Sequence, residues 1–230
     1  MNPGLRNLIT GKNQGSEPLS AEQKEQGFKA WYGSKYLPHC DFPGVRQFIS
    51  YRLEDSMPVA LRSEWKTFLD LKDIKEKQRR IQAYLDKGLG ECLLGKPQIS
   101  KIVQENLWQF DGTKYRLLAW SIMPNHIHVA IEVWDTPLAE IINSWKGYTA
   151  KQANKLLKCE GAFWAEDYFD RRIRDEEHFW RVVRYIENNP VKAKLVRSPE
   201  EWLWTSARYR SKEDISARTL THPTAARFPT

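Results

Sequence analysis

Lys114 to Trp134 reads KYRLLAWSIMPNHIHVAIEVW, the most β-prone run of the chain, broken once by Met123-Pro124-Asn125. β-Branched and aromatic residues on both sides of a Pro-Asn break predict two antiparallel strands joined by a tight turn. The second strand opens on His126-Ile127-His128. Residues two apart in a strand leave by the same face, so both imidazoles point one way and Ile127 points into the opposite layer. Two nitrogens so placed can hold one divalent ion that oxygen ligands complete, and Mg²⁺, Mn²⁺ and Zn²⁺ all suit that donor set. The competing reading is a pair of ordinary strand histidines, so other residues must decide.

Outward from this hairpin, VRQFISYRL (Val45 to Leu53) predicts an earlier strand between turn-forming residues. Val59 to Asp86 is charge-rich with helical spacing, and Pro97 opens a further helix that runs through Ile99, Val103 and Leu107 to the Asp111-Gly112 turn. After the hairpin, Pro137 to Lys158 is helical with Leu138, Ile141, Ile142 and Trp145 on one face. Tyr168 to Ile173 is extended, and a last helix spans about Asp175 to Asn189, where Pro190 is expected to stop it. This order predicts an α+β fold, an antiparallel sheet with helices mainly on one face. Residues 1–25 read as a mobile arm, 26–210 as a single domain with a helical insert at about 59–111, and 211–230 as a polar tail.

The 36 Lys+Arg against 29 Asp+Glu give a net charge of +7, which favours an anionic partner. With 41% hydrophobic residues the chain can bury a core, and disorder throughout is excluded. No stretch approaches the roughly 18 apolar residues of a bilayer span, so no membrane association is expected. Three widely spaced cysteines exclude a disulfide framework and a thiolate zinc site, which fits a cytoplasmic location. Ten Trp, nine Tyr and nine Phe on a basic chain suit single-stranded nucleic acid, where rings stack on bases and cations follow phosphates.

In the last helix Phe179, Val182, Val183 and Ile186 recur at i, i+3, i+4 and i+7 and must face the core. Tyr185 and Asn189 then fall together on one flank of that stripe, one turn apart. A phenol there can serve as nucleophile and an amide oxygen as metal ligand. The bland alternative is a packed Tyr with Asn189 as an ordinary residue at a helix end. Tyr148 is the rival nucleophile, on a helix without an amide one turn later on its own face. His178, one helix repeat before Tyr185 on the same flank, can reach the groove over the sheet but reads first as a surface residue, and Glu132 shares the histidines' face by parity, where it can support the metal ligands.

MPNHIHVAIE, FWAEDYFDRRIRDEEHF and VVRYIENNPVKAKLV, taken with their order, resemble the REP-associated tyrosine transposases, relatives of the IS200-type single-tyrosine HUH transposases. The resemblance covers roughly residues 35–210. It implies a ferredoxin-like fold whose sheet carries the histidine pair beneath a tyrosine-bearing helix. It also implies His126, His128 and Asn189 as ligands of a divalent metal, Mg²⁺ or Mn²⁺, with Tyr185 as nucleophile. Relatives with Gln at the position of Asn189 use it similarly. The implied partner is single-stranded or hairpin DNA and the implied location is the nucleoid, with monomer and homodimer both open. Lys146, Lys151, Lys155, Arg171, Arg172, Arg174, Lys192 and Lys194 read as basic clusters on both sides of the site. Trp202 and Trp204 suit either base stacking or sealing of the core. Three readings follow: a DNA-cleaving and rejoining transesterase, a hairpin-DNA-binding module without chemistry, and a metal hydrolase. The shortage of carboxylates near the histidines speaks against the last.

Overall fold

Four strands pair antiparallel in the order β4-β5-β3-β6 in the computed structural model, which describes residues 18–33, 38–57 and 74–210. They are β3 (Arg46–Arg52), β4 (Tyr115–Ile122), β5 (His126–Val133) and β6 (Phe169–Arg172). Helix α3 (Pro97–Gln109) links β3 to β4, and α4 (Leu138–Leu157) links β5 to β6. A β-α-β-β-α-β order with these neighbours is the ferredoxin-like topology. Preceding it are α1 (Ala21–Glu25) and a two-stranded sheet of β1 (Ala30–Gly33) and β2 (Pro38–Asp41). Helix α2 (Ile74–Leu85) lies between β3 and α3, and α5 (Glu176–Lys192) follows β6.

Alternation along β5 sorts the core into two layers. Ile127, Val129, Ile131 and Val133 are buried with Ile99, Val103 and Leu107 of α3 and with Ile141, Ile142 and Trp145 of α4. Ala130, on the other parity, packs with Phe179, Val183 and Ile186 of α5. The two crossover helices therefore share one face, and α5 covers the face that carries His126 and His128. Burying a large aliphatic side chain stabilises by about 1.5–3 kcal/mol, so both layers contribute.

Four details differ from the sequence reading. Residues 18–25 of the expected arm are ordered: Ser20 and Gln23 form a reciprocal capping box that starts α1, and Leu19 is buried in the core. The hairpin β1–β2 is unanticipated, because Pro38-His39-Cys40-Asp41 mixes polar and apolar residues without alternation, yet His39, Cys40 and Asp41 are all buried. The expected insert at 59–111 includes α3, which is a crossover helix of the fold itself. Its first part, and residues 1–17 and 211–230 of the two tails, lie outside the described residues. Finally, Pro190 does not stop α5. It sits in the last turn, where the missing N–H costs one helical bond, and the Ala193 amide still donates to the Asn189 carbonyl.

Long-range polar contacts fix the ends of these elements. Asp41 Oδ1 accepts from the Leu138 amide at 2.9 Å and its Oδ2 from the Lys29 amide at 3.1 Å. Asn125 Nδ2 donates to the carbonyls of Leu85 at 3.2 Å and Leu89 at 3.1 Å, which pins the end of α2 to the β4–β5 turn. Gly90 follows at φ +90°, and a Cβ there would lie 2.7 Å from the Asp55 carbonyl oxygen, so only glycine permits this approach to the end of β3.

Candidate active site

His126 and His128 begin β5 opposite Arg52 and Ser50 of β3, and both rings are buried. Their Nε2 atoms face each other at 3.1 Å. The His126 Nδ1–H donates to Asn125 Oδ1 at 2.7 Å, and the amide's orientation is set because its Nδ2 already serves two carbonyls. That leaves the His126 Nε2 lone pair directed into the site. Burial lowers the His126 pKa to about 4, and Lys192 adds to this while Asp86 opposes it. Burial, then His126 and Lys192, hold His128 well below the ordinary imidazole range. Both rings are neutral at neutral pH, the state in which imidazole ligates a metal.

Helix α5 crosses above them because its apolar stripe sits on Ala130 and Ala119, small residues of β5 and β4. The Tyr185 ring centroid lies 5.4 Å from that of His128, and Phe48 of β3 touches both, stacked on His128 at 5.4 Å and edge-on to Tyr185 at 5.8 Å. Burial raises the Tyr185 phenol above its ordinary pKa and the charge of Asp86 adds to it, while the Asn189 side chain works the other way. Asn189, one turn on, is buried; its side chain acts on the Tyr185 hydroxyl, and its Oδ1 has no hydrogen-bond partner among the described residues. An uncompensated buried amide is costly, and a cation would satisfy its oxygen.

These donors fit a divalent metal. Two nitrogens 3.1 Å apart suit ligands about 2.1 Å from one ion. Among the described residues no three His, Cys, Asp or Glu side chains form a metal-sized group, so further donors to such an ion would have to be amides.

Helix α2 and the turn after it add two residues that the sequence reading missed. Gln82 Nε2 lies 3.4 Å from His126 Nε2 and donates to Asp86 Oδ1 at 2.6 Å. Asp86 Oδ2 accepts from Lys192 Nζ at 2.7 Å, and that ammonium is 6.0 Å from the Tyr185 ring centroid. No local pattern marks Gln82, in a charge-rich helix, or Asp86, in the turn that follows it.

The basic residues separate. Lys192 is at the site, and Lys194 lies just beyond the end of α5, exposed. Arg171 alternates onto the α5 face beside Phe48 in β6, and burial, with Arg174 and Arg181, lowers its pKa. Arg172 faces the other way, where its charge acts on Cys40 of β2. Lys146, Lys151 and Lys155 ride on α4, across the sheet from the histidines, so the expected flanking of the site from that side does not occur. Lys146 is also engaged, donating to the carbonyls of Ala165 at 2.6 Å and Glu166 at 2.7 Å. Tyr148 is 52% exposed on the same helix and does not approach His126 or His128. His178 is buried rather than on the surface, its Nδ1 accepting from the Arg174 amide at 3.3 Å. Glu132 is at the far end of β5 and pairs with Arg46 at 3.6 Å. Trp202 donates to the Ile122 carbonyl at 2.9 Å and Trp204 packs on the core, so this segment seals the edge of β4.

Residues 96–189 match the family described as "Transposase IS200 like". The chain is similar to IS200-like transposases over these residues. This segment runs from the start of α3 to Asn189 and so contains both histidines, Tyr185 and Asn189. A REP-associated tyrosine transposase bound to a REP hairpin has 15% identity with a TM-score of 0.48, covering 83% of this chain and 90% of that one. A Deinococcus radiodurans R1 protein described as a candidate transposase has 13% identity with a TM-score of 0.28, covering 69% and 96% respectively. No curated relative matches the chain. The ferredoxin-like topology rests on the chain's own strand order, within which the IS200-like segment supplies three of the four sheet strands and β3 the fourth.

Proposed function

We propose that the protein is a divalent-metal-dependent single-strand DNA transesterase, with Tyr185 as nucleophile and hairpin DNA as substrate. The placement of the Tyr185 ring 5.4 Å from His128, on a helix facing the histidine strand, carries this reading. The phenol oxygen attacks a phosphodiester phosphorus, the bond to the 3′ oxygen breaks, and a 5′-phosphotyrosine and a free 3′-OH result. The phenol proton is lost to solvent and the departing 3′ oxygen gains one. His126, His128 and Asn189 would hold the metal, Mg²⁺ or Mn²⁺, which when bound supplies charge neutralisation at the non-bridging phosphate oxygens. The ester bond to Tyr185 keeps the energy of the phosphodiester, so another 3′-OH can reverse the step and join strands. Lys192, with Arg171 and Arg174 on the same face, offers charge to the backbone of the bound strand.

One observation favours a second reading, a hairpin-binding module without chemistry: the phenol is partly buried and its pKa is raised, which opposes ionisation. A denaturing gel separates the two. Labelled single-stranded hairpin DNA from beside the gene is incubated with Mn²⁺ or Mg²⁺ and with wild type, Tyr185→Phe or Tyr148→Phe. A covalent adduct lost only in Tyr185→Phe is expected. Binding without any adduct establishes the second reading, and loss only in Tyr148→Phe moves the nucleophile to α4.

A further inference from the structure

The mechanism above leaves Gln82 and Asp86 unused, although they stand at its centre. The proposed ligands His126, His128 and Asn189 are all neutral. A dication held in a buried place by neutral donors keeps its full charge there, which is costly unless an anion stands close by. Asp86 is that anion. Its Oδ1 takes a hydrogen bond from Gln82 at 2.6 Å, and the same Gln82 nitrogen is 3.4 Å from His126 Nε2, so one amide touches both the carboxylate and the coordinating edge of the ring. Its charge is felt at both His126 and Tyr185. The position is built rather than accidental: Asn125, which sets the His126 tautomer through its oxygen, holds the end of α2 through its nitrogen.

We infer that Asp86 is the anionic residue of this metal site: it offsets the charge of the dication and holds Gln82, whose contact with His126 Nε2 the ion would replace. The inference rests on the metal site proposed above. Lys192 is its competitor, because the ammonium 2.7 Å away already takes up part of the carboxylate's charge. Removing Lys192 must therefore strengthen metal binding while removing the carboxylate weakens it, although either change breaks the same ion pair.

The test is a titration of full-length, DNA-free protein with Mn²⁺, read by the electron paramagnetic resonance signal of the free ion. It compares wild type, Asp86→Asn, Asp86→Glu, Lys192→Met and His128→Ala, with the metal-free Tm of each recorded. Asp86→Asn is expected to weaken Mn²⁺ binding about tenfold or more. Asp86→Glu should retain most of the affinity, and Lys192→Met should tighten it several-fold. Equal shifts in Asp86→Asn and Lys192→Met reduce the pair to a structural contact and overturn the inference. So does a Lys192→Met protein with unchanged affinity, even if Asp86→Asn proves too unstable to measure. Loss of Mn²⁺ in His128→Ala with no change in Asp86→Asn removes Asp86 alone and leaves the metal site standing. A wild type that takes up no Mn²⁺ overturns both.

Discussion

Two regions of this molecule bury histidine almost completely, and one keeps it charged while the other keeps it neutral. His39 of β2 is 1% exposed and lies between two acids: its Nδ1 meets Asp170 in a short contact and its Nε2 is 3.7 Å from Asp167. Burial alone lowers its pKa, but the hydrogen bonds to Asp167 and Asp170 outweigh this and raise it to about 9. His126 and His128, equally buried, have only nitrogen and amide neighbours within hydrogen-bonding distance, and both are pushed down. Burial by itself does not decide protonation. What the ring touches does, and so one histidine region serves as a charged clasp and the other as a pair of lone-pair donors.

The comparison can be broken most forcefully at the clasp. His39→Leu leaves the Asp170 carboxylate buried without its cation and should cost about 3–5 kcal/mol. For a chain of this size that corresponds to a fall in Tm of roughly 10 °C, which differential scanning calorimetry reads directly. In the same assay His128→Gln should cost clearly less, because no charge is stranded, while DNA adduct formation disappears.

The next effect is on pH. His39 has a raised folded-state pKa, so its contribution is complete below about 6.5, declines as pH rises, and is gone above about 9. Urea unfolding at pH 6 and pH 10 should differ by on the order of 3 kcal/mol from this group, and His39→Gln should remove that difference. Groups around the ring include Asp167 and Asp170, together with Tyr32 and Tyr168, whose hydroxyls are 3.1 Å apart and whose pKa values burial raises. His126 has the opposite sign: its contribution is present above about 6.5 and is lost as pH falls towards about 4. An unfolding series in which both losses fall on the same side of neutrality would dissolve the contrast.

A smaller change sharpens it. Asn125→Ala frees the His126 ring to change tautomer and should weaken Mn²⁺ binding about tenfold with both imidazoles still present. Smallest of all, Tyr148→Phe should leave Tm, metal binding and adduct formation unchanged within error, since its ring is exposed and lies across the sheet from His126 and His128.

The sequence exposed what is periodic. Alternation alone placed both histidines on one face of β5, and the i, i+3, i+4 stripe of α5 put Tyr185 and Asn189 on a common flank, both as observed. Such patterns tell which face an element buries. They are silent on which polar residues of different elements meet at its ends, so the approach of Gln82 to His126, the His39–Asp170 contact 131 positions apart, and the docking of Lys146 on two carbonyls carry no local signal. The face of the sheet taken by α4 is in the same class, and it is why three lysines expected near the site lie behind it. The capping box at Ser20 is a true sequence signal, outweighed in a compositional reading by the polar residues before it.

The hydrogen bond from Leu138 to Asp41 also sets an order of events. Helix α4 starts after Pro137, which has no side-chain oxygen to offer the first amides, and the acceptor comes instead from a residue 97 positions earlier. The Leu138 amide therefore gains its protein acceptor only once β2 has docked at the sheet edge, a loop closure spanning nearly half the chain. That amide should stay exchangeable in hydrogen-exchange labelling after the middle of α4 is protected, marking hairpin docking as a late step of folding. The N-terminal hairpin works as a latch on a helix it does not belong to, and a nick between them would be felt first at Leu138.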